Sequence, residues 1–440
     1  MTKKYTVQTA LAIMAVFAVL GTSALAADSL ETVDTSHLTL EQALSLADTR
    51  NRDVQKALEF YNEVDGRYVE ERAAALPQLS LIGQGTVSQD KSQAAFGGNS
   101  ASDQKFYSTR MEISQQLFTW GKIGAAIRAA EKGRLTADER LRAARQDTRR
   151  DVAVEFYNIL LAQELHSFAL SNKEQKTRHL EEAQRKFAAG VATDYDVLAA
   201  KVSTDNAKPE VIRSENNLKV TRERLRFILA AQGEVGVQGS LEPPEYVTPA
   251  FAAAIKEALE RRPELKEIRH RRDIASELVK VANADDKPRV EVTGAYGYRR
   301  LDAGGTTSDG QAWNAGIAIT FPFFDGMRTR GKVAQAVSQR TTLEIEESKL
   351  AEMVALEVRE AINRVEESRE IVTSLSGTVT QAERLLAMAE KGYNLGVKIR
   401  LEVEDAELNL IQARSNLARA KRDFLVAKTG LERVQGILGE

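Results

Sequence analysis

The chain has 440 residues, 61 of them basic and 63 acidic, for a net charge of −2; that balance excludes a strongly cationic binder of nucleic acid. Hydrophobic residues make up 43%, too many for a disordered acidic chain, and only 8 prolines interrupt them, so very long helices are permitted. Cysteine is absent and the four histidines are scattered, which excludes disulfides, thiolate nucleophiles and cysteine-ligated zinc.

Residues 1–26 read as a secretory signal peptide. Lys3 and Lys4 give a positive start, Leu11 to Leu20 is apolar and uncharged, and Ala24-Leu25-Ala26 is a small-x-small cleavage site. Beyond it, the apolar run Ala312 to Phe324 is shorter than the ~20 residues of a membrane-crossing helix. A bilayer crossing by this chain must therefore use strands.

In chain order, the first half (27–245) offers a short helix near Leu40, a helix over Asp53 to Ala75 and a β-hairpin at about 78–118. A helix from Lys122 to Phe187 without proline follows, then a turn near 188–193, a returning helix over Asp194 to Ala231, and a polar connection. The second half (246–440) repeats this order. Pro77 matches Pro288 and Gly83 matches Gly294 at one spacing; Phe118 matches Phe324 and Gly190 matches Gly396 at another, slightly shorter one. Its hairpin spans about 289–324, its long helix runs from Arg328 to Tyr393, and its turn lies near 394–398.

Strand alternation is clearest in the second half. Val290, Val292, Gly294, Tyr296 and Tyr298 share one face, as do Trp313, Ala315, Ile317, Ile319, Phe321 and Phe323. The first half shows it in Leu79, Leu81 and Val87 and in Tyr107, Met111 and Ile113. Such strands are long enough to cross a bilayer, and aromatic residues at their ends suit its interfaces. Four strands cannot close a barrel, whereas three copies would supply twelve.

The long helices carry a seven-residue repeat. Val354, Val358, Ala361, Val365, Ser368, Val372, Leu375, Val379, Ala382, Leu386, Ala389 and Tyr393 step by four and three. Ile399, Val403, Ala406, Leu410, Ala413, Leu417, Ala420 and Phe424 continue the pattern after the turn. The first-half seam, through Thr204 and Ser214, is more polar. At 1.5 Å per residue each long helix extends ~100 Å, and two shorter helices end to end nearly match it.

Leu38-Thr39-Leu40-Glu41-Gln42-Ala43-Leu44, Ala75-Leu76-Pro77-Gln78-Leu79 at a strand entrance, and the paired turns Phe187-Ala188-Ala189-Gly190 and Tyr393-Asn394-Leu395-Gly396 resemble the TolC family of outer-membrane efflux proteins. The resemblance covers essentially all the chain after the signal. It implies a mixed α and β membrane protein in which a duplicated unit of coiled-coil helical hairpins plus a β-hairpin forms a homotrimer. A 12-stranded β-barrel, seated in outer-membrane lipid, would continue into an α-helical tunnel in the periplasm. The implied partners are a periplasmic adaptor (membrane fusion) protein and an inner-membrane RND or ABC transporter, as in tripartite efflux or type I secretion. No cofactor and no nucleic acid are implied.

The same resemblance places two pore-constriction carboxylates at Glu402 and Asp405, where the family type has aspartate at both. It places a tip latch at Asp196, Lys398 and Tyr393, with Lys398 replacing the family's arginine and Tyr195 its threonine. Adaptor docking falls at the turns Gly190, Val191, Gly396 and Val397. Independently of the family, Glu402 and Asp405 are three apart and so share a helix face; threefold symmetry would gather six carboxylates round one axis. Two other readings compete. A periplasmic coiled-coil adaptor or scaffold explains the heptads but leaves the alternating strands unused. An enzyme lacks support, since no phosphate-cradling glycine loop, G-x-S-x-G or H-E-x-x-H occurs.

Overall fold

The computed structural model describes residues 35–90, 102–303 and 306–439. The expected signal peptide, 1–26, and the turn of the first hairpin, 91–101, lie outside the described residues. The chain divides into two units, Met1–Thr35 and Ser36–Glu440, and the following concerns the second.

Helices α1 (Leu40–Arg50) and α2 (Arg52–Ala73) lead into strands β1 (Gln78–Asp90) and β2 (Ser102–Phe118), then α3 (Lys122–Ala188) and α4 (Asp194–Ile228). The order recurs in α5 (Phe251–Arg261), α6 (Pro263–Asn283), β3 (Arg289–Ala303), β4 (Thr306–Thr320), α7 (Arg328–Asn394) and α8 (Arg400–Gln435). Both α3 and α7 have 67 residues. The shorter helices have 35 (α4) and 22 (α2) residues in one half, and 36 (α8) and 21 (α6) in the other.

Side chains hold these shorter helices end to end. Asn51 caps α2 by accepting from the N–H groups of Asp53 and Val54, and its amide donates to the Ile228 carbonyl at 2.8 Å, at the end of α4. In the other half Arg433 of α8 pairs with Glu264 of α6 at 2.6 Å and with Asp147 of α3 at 2.8 Å. The largest apolar core lies at this level, where Leu38, Phe156, Ile159, Leu225, Leu241, Leu265, Val354 and Leu431 are buried together. Within it, Arg262 is buried but paired with Glu264 and Glu357, as a buried guanidinium must be.

The strands form one antiparallel sheet in the order β1-β2-β3-β4. Pairing of β2 with β3 joins the two hairpins in a register that puts their apolar positions on one face. Leu81 lies opposite Met111, Met111 opposite Tyr296, and Tyr296 opposite Trp313. Opposed residues share a face, so Leu79, Leu81, Tyr107, Met111, Ile113, Tyr296, Trp313, Ile317 and Ile319 make a continuous exposed apolar surface. Trp313 is 77% exposed, and no helix of the described residues is long and apolar enough to cross a membrane.

The two coiled hairpins differ in their seams. In α7 and α8 small and large apolar groups interlock, with Ala382 against Leu410 and Ala413, and Ala389 against Val403 and Ala406. The seam of α3 and α4 is more polar: Thr204 Oγ1 donates to the Lys176 carbonyl at 3.0 Å, and His166 Nδ1 lies 3.0 Å from Ser214 Oγ.

Candidate functional site

Both helical hairpins turn by the same device. Gly190 and Gly396 adopt φ of +73° and +74°, the left-handed conformation that glycine accepts without penalty. The next N–H then reaches back over the helix end: Val191 to the Lys186 carbonyl, and Val397 to that of Gly392, each at 2.9 Å. Because these loops spend their backbone bonds on closing the helices, Val191 and Val397 are left pointing outward, 74% and 78% exposed.

The proposed latch residues are engaged locally. Asp196 forms a capping box with Thr193: its carboxylate accepts from the Thr193 N–H at 2.8 Å and hydroxyl at 2.7 Å, and its own N–H donates to Thr193 Oγ1 at 3.3 Å. Those bonds, with a smaller contribution from Arg400, hold the Asp196 carboxyl below its usual range. The stem of Lys398 lies over Gly392, where any Cβ would come within 2.9 Å, and its ammonium meets Glu402 at 2.5 Å. Glu402 also accepts from the Ile399 N–H at 3.0 Å, so the lysine first and this N–H second lower its pKa. Asp405 is exposed on the same helix face. Among the described residues, no ion pair joins Asp196 to Lys398 and none engages Asp405.

Tyr393 links the hairpins through Lys186. The lysine donates to the Tyr393 hydroxyl at 3.2 Å and lies 5.2 Å from the ring centre. Lys186 also pairs with Glu182 at 2.8 Å, and Arg400 bridges Glu404 at 3.1 Å and Glu182 at 3.9 Å. Hydrogen bonding to Glu182 first, then to Tyr393, raises the Lys186 pKa. Lys186, Tyr393, Arg400 and Glu404 wall a cleft of ≈ 790 Å³ between the tips, which Asp196 and Tyr195 also line. Sequence reasoning missed Arg400. It sits two residues past Lys398, and its Nη2 is buried without a hydrogen-bond partner.

Deeper in the bundle, Glu407 is 2% exposed. Its Oε1 accepts from His179 Nε2 at 2.8 Å and from Gln175, and its Oε2 from Lys176 at 3.0 Å. Burial alone would raise this carboxyl's pKa, but the bonds from His179 and Lys176 outweigh it and hold the pKa below the usual value. All three donors belong to α3, so this acid ties the second repeat to the first. Sequence reasoning missed it because Glu407 stands one residue off the heptad seam. The available signal was a second stripe on α8, through Ala418, Leu425 and Thr429, all buried.

The arrangement is a set of helix-to-helix ties and exposed turns, and among the described residues no cluster of side chains could hold a metal ion. Comparison with known proteins agrees with a conduit. The chain is 24% identical to outer membrane protein TolC of Escherichia coli (strain K12), over 91% of this chain and 83% of the relative. It is 27% identical to the cobalt-zinc-cadmium resistance protein CzcC of Cupriavidus metallidurans, covering 91% and 90%. The fold is similar to the crystal structure of the Campylobacter jejuni CmeC outer membrane channel, with a TM-score of 0.78 at 17% identity, over 90% and 85% of the two chains. A family model for outer membrane efflux proteins matches residues 43–231 and 254–437. With its two long-helix hairpins hung from one small sheet, and both halves matched, the chain belongs to the outer membrane efflux protein family and is a transport conduit without catalysis of its own.

Proposed function

We propose that three copies of the chain assemble a 12-stranded barrel in the outer membrane, continued by a helical tunnel into the periplasm. Through it, an inner-membrane RND or ABC transporter and a periplasmic adaptor export their substrates. One observation carries this reading: the sheet ends in two strands, β1 and β4, each paired on one side only, and exposes an apolar face across all four. In lipid, unpaired backbone groups cost several kcal/mol each, so the edges must be closed by other copies. Native mass of the detergent-extracted protein tests it; a trimer is expected, and a stable, fully folded monomer in water would refute it.

Within that trimer, Glu402 and Asp405 form the constriction, and the exposed turns around Gly190, Val191, Gly396 and Val397 form the docking surface. Asp196, Lys398 and Tyr393 serve the latch, joined by Arg400, which bridges Glu404 and Glu182 in the cleft between the tips. Glu402 pairs with Lys398, whereas Asp405 forms no ion pair among the described residues. In planar-bilayer recordings Asp405→Asn and Glu402→Gln should each reduce cation selectivity, the latter by leaving the Lys398 charge uncompensated, and the double variant should reduce it most. Selectivity unchanged in the double variant would remove these residues from the constriction.

A further inference from the structure

The opposite end of the long helices carries a concentration of positive charge that the conduit reading does not use. A pocket of ≈ 250 Å³ at the junction of sheet and helices is lined by Lys122, Lys287, Arg289, Arg328 and Lys332, with Asp285 the single carboxylate among its lining residues. Asp285 pairs with Lys122 at 2.5 Å and Lys332 at 2.6 Å; hydrogen bonds from those two lysines lower its pKa to about 2, so it stays ionised. Lys287 pairs with Asp286 at 3.2 Å. Arg289 and Arg328 form no ion pair among the described residues. The nearby Asp325 accepts from the Thr329 N–H at 2.8 Å, and the charge of Arg328 also favours its ionised form.

Helix polarity sharpens the imbalance. A helix N-terminus is itself positive and ordinarily attracts acidic residues. Here α3 and α7 start at Lys122 and Arg328, each after a residue in the left-handed conformation, and neither has an acid in its first turn. The duplicated halves also diverge at this point. Asp285, Lys287 and Arg289 occupy the positions that Ala74, Leu76 and Gln78 hold in the first repeat. The pocket, between two helix N-termini and the start of β3, therefore draws on charges that the matching positions of the first repeat lack.

We propose that this pocket binds a phosphate-type oxyanion, presented either by a phospholipid headgroup or by free phosphate. Arg289 and Arg328 supply planar donors suited to bidentate phosphate contacts. The pocket lies at the level where Phe118, Trp120, Phe321, Phe323 and Phe324 are exposed, the kind of aromatic band that marks a membrane–water interface. The headgroup source rests on the outer-membrane reading; the free-phosphate source does not.

Full-length protein in neutral detergent, titrated with inorganic phosphate at constant ionic strength, provides the test by calorimetry. The wild type should saturate. Arg289→Gln with Arg328→Gln should weaken binding at least tenfold, each single change giving part of the loss. Arg330→Gln, exposed on α7 outside the pocket, should leave it unchanged. In a second arm, phospholipid retained through purification from phosphatidylglycerol–phosphatidylcholine vesicles is counted by native mass spectrometry. Loss of retained lipid in the double variant assigns the headgroup, and loss of phosphate binding alone assigns the free anion. If the double variant, with its mass and helicity preserved, matches Arg330→Gln in both arms, the inference is overturned while the trimer reading stands.

Discussion

Ile317→Lys should abolish recovery of assembled protein from the outer membrane, while Ala318→Lys, one residue on, should be tolerated. Ile317 lies on the apolar face, midway between Trp313 and Phe321. At about 3.3 Å per residue the band between those aromatics spans ~26 Å along the strand, so in the proposed barrel Ile317 would be a mid-membrane position. A lysine facing lipid at that depth costs ~2–4 kcal/mol. The proposed trimer would carry three of them in one barrel, for a total of ~6–12 kcal/mol, comparable to the stability of a typical domain. Ala318 belongs to the opposite face, which a closed barrel turns towards water. The measurement is the amount of trimer in outer-membrane fractions for both variants; equal recovery would mean that the apolar face does not meet lipid.

Glu407→Ala should loosen the bundle near its tips more than any single change at the exposed turns. Removing one member of a buried pair leaves the others desolvated and unpaired, ordinarily at ~3–5 kcal/mol. Lys176 and His179 keep 14% and 22% of their side-chain surface exposed, so the cost here should fall nearer ~2–3 kcal/mol. Glu407→Gln, which keeps the shape and some hydrogen bonding but loses the charge, should cost less. Hydrogen exchange in α8 around Val403 to Leu410 would report the loss, with channel conductance rising in parallel. Protection equal to wild type in the alanine variant would show that this acid does not tie the hairpins together.

The same acid sets a pH dependence. Its carboxyl titrates lower in the folded protein than in the unfolded chain, so its stabilisation is complete above the unfolded value of about 4.5 and is lost as pH falls through the folded value. Thermal stability of wild type should therefore decline below about pH 4.5 more steeply than that of Glu407→Gln, which has no such proton to take up. Parallel declines would assign the acid sensitivity to other carboxylates.

Much of the architecture was legible in the chain because it is written in periodicities. Alternation with a step of two placed Val292, Tyr296, Trp313 and Ile317 on a common strand face, and steps of four and three placed Val354, Val358, Val365, Val403 and Leu410 in buried seams. The absence of proline allowed the two 67-residue helices, and the internal repeat announced one arrangement used twice. Each of these depends on local geometry, in which a side chain's direction follows from its position along its own helix or strand.

What only the tertiary structure decided involves residues that answer to two neighbours at once. The β2–β3 pairing brings Met111 against Tyr296 and merges two hairpins into one apolar surface, a register that neither hairpin specifies alone. Helix α8 packs against α7 with one face and meets α3 with another, so Glu407, an ordinary exposed acid by its heptad position, becomes a buried tie to His179 and Lys176. Lys398 turns to Glu402, four residues on, while Arg400 enters the cleft between the tips. A linear pattern records the distance of each residue along the chain, but the partners of a charged side chain are set by which helices lie beside it, and that follows only once the bundle has closed.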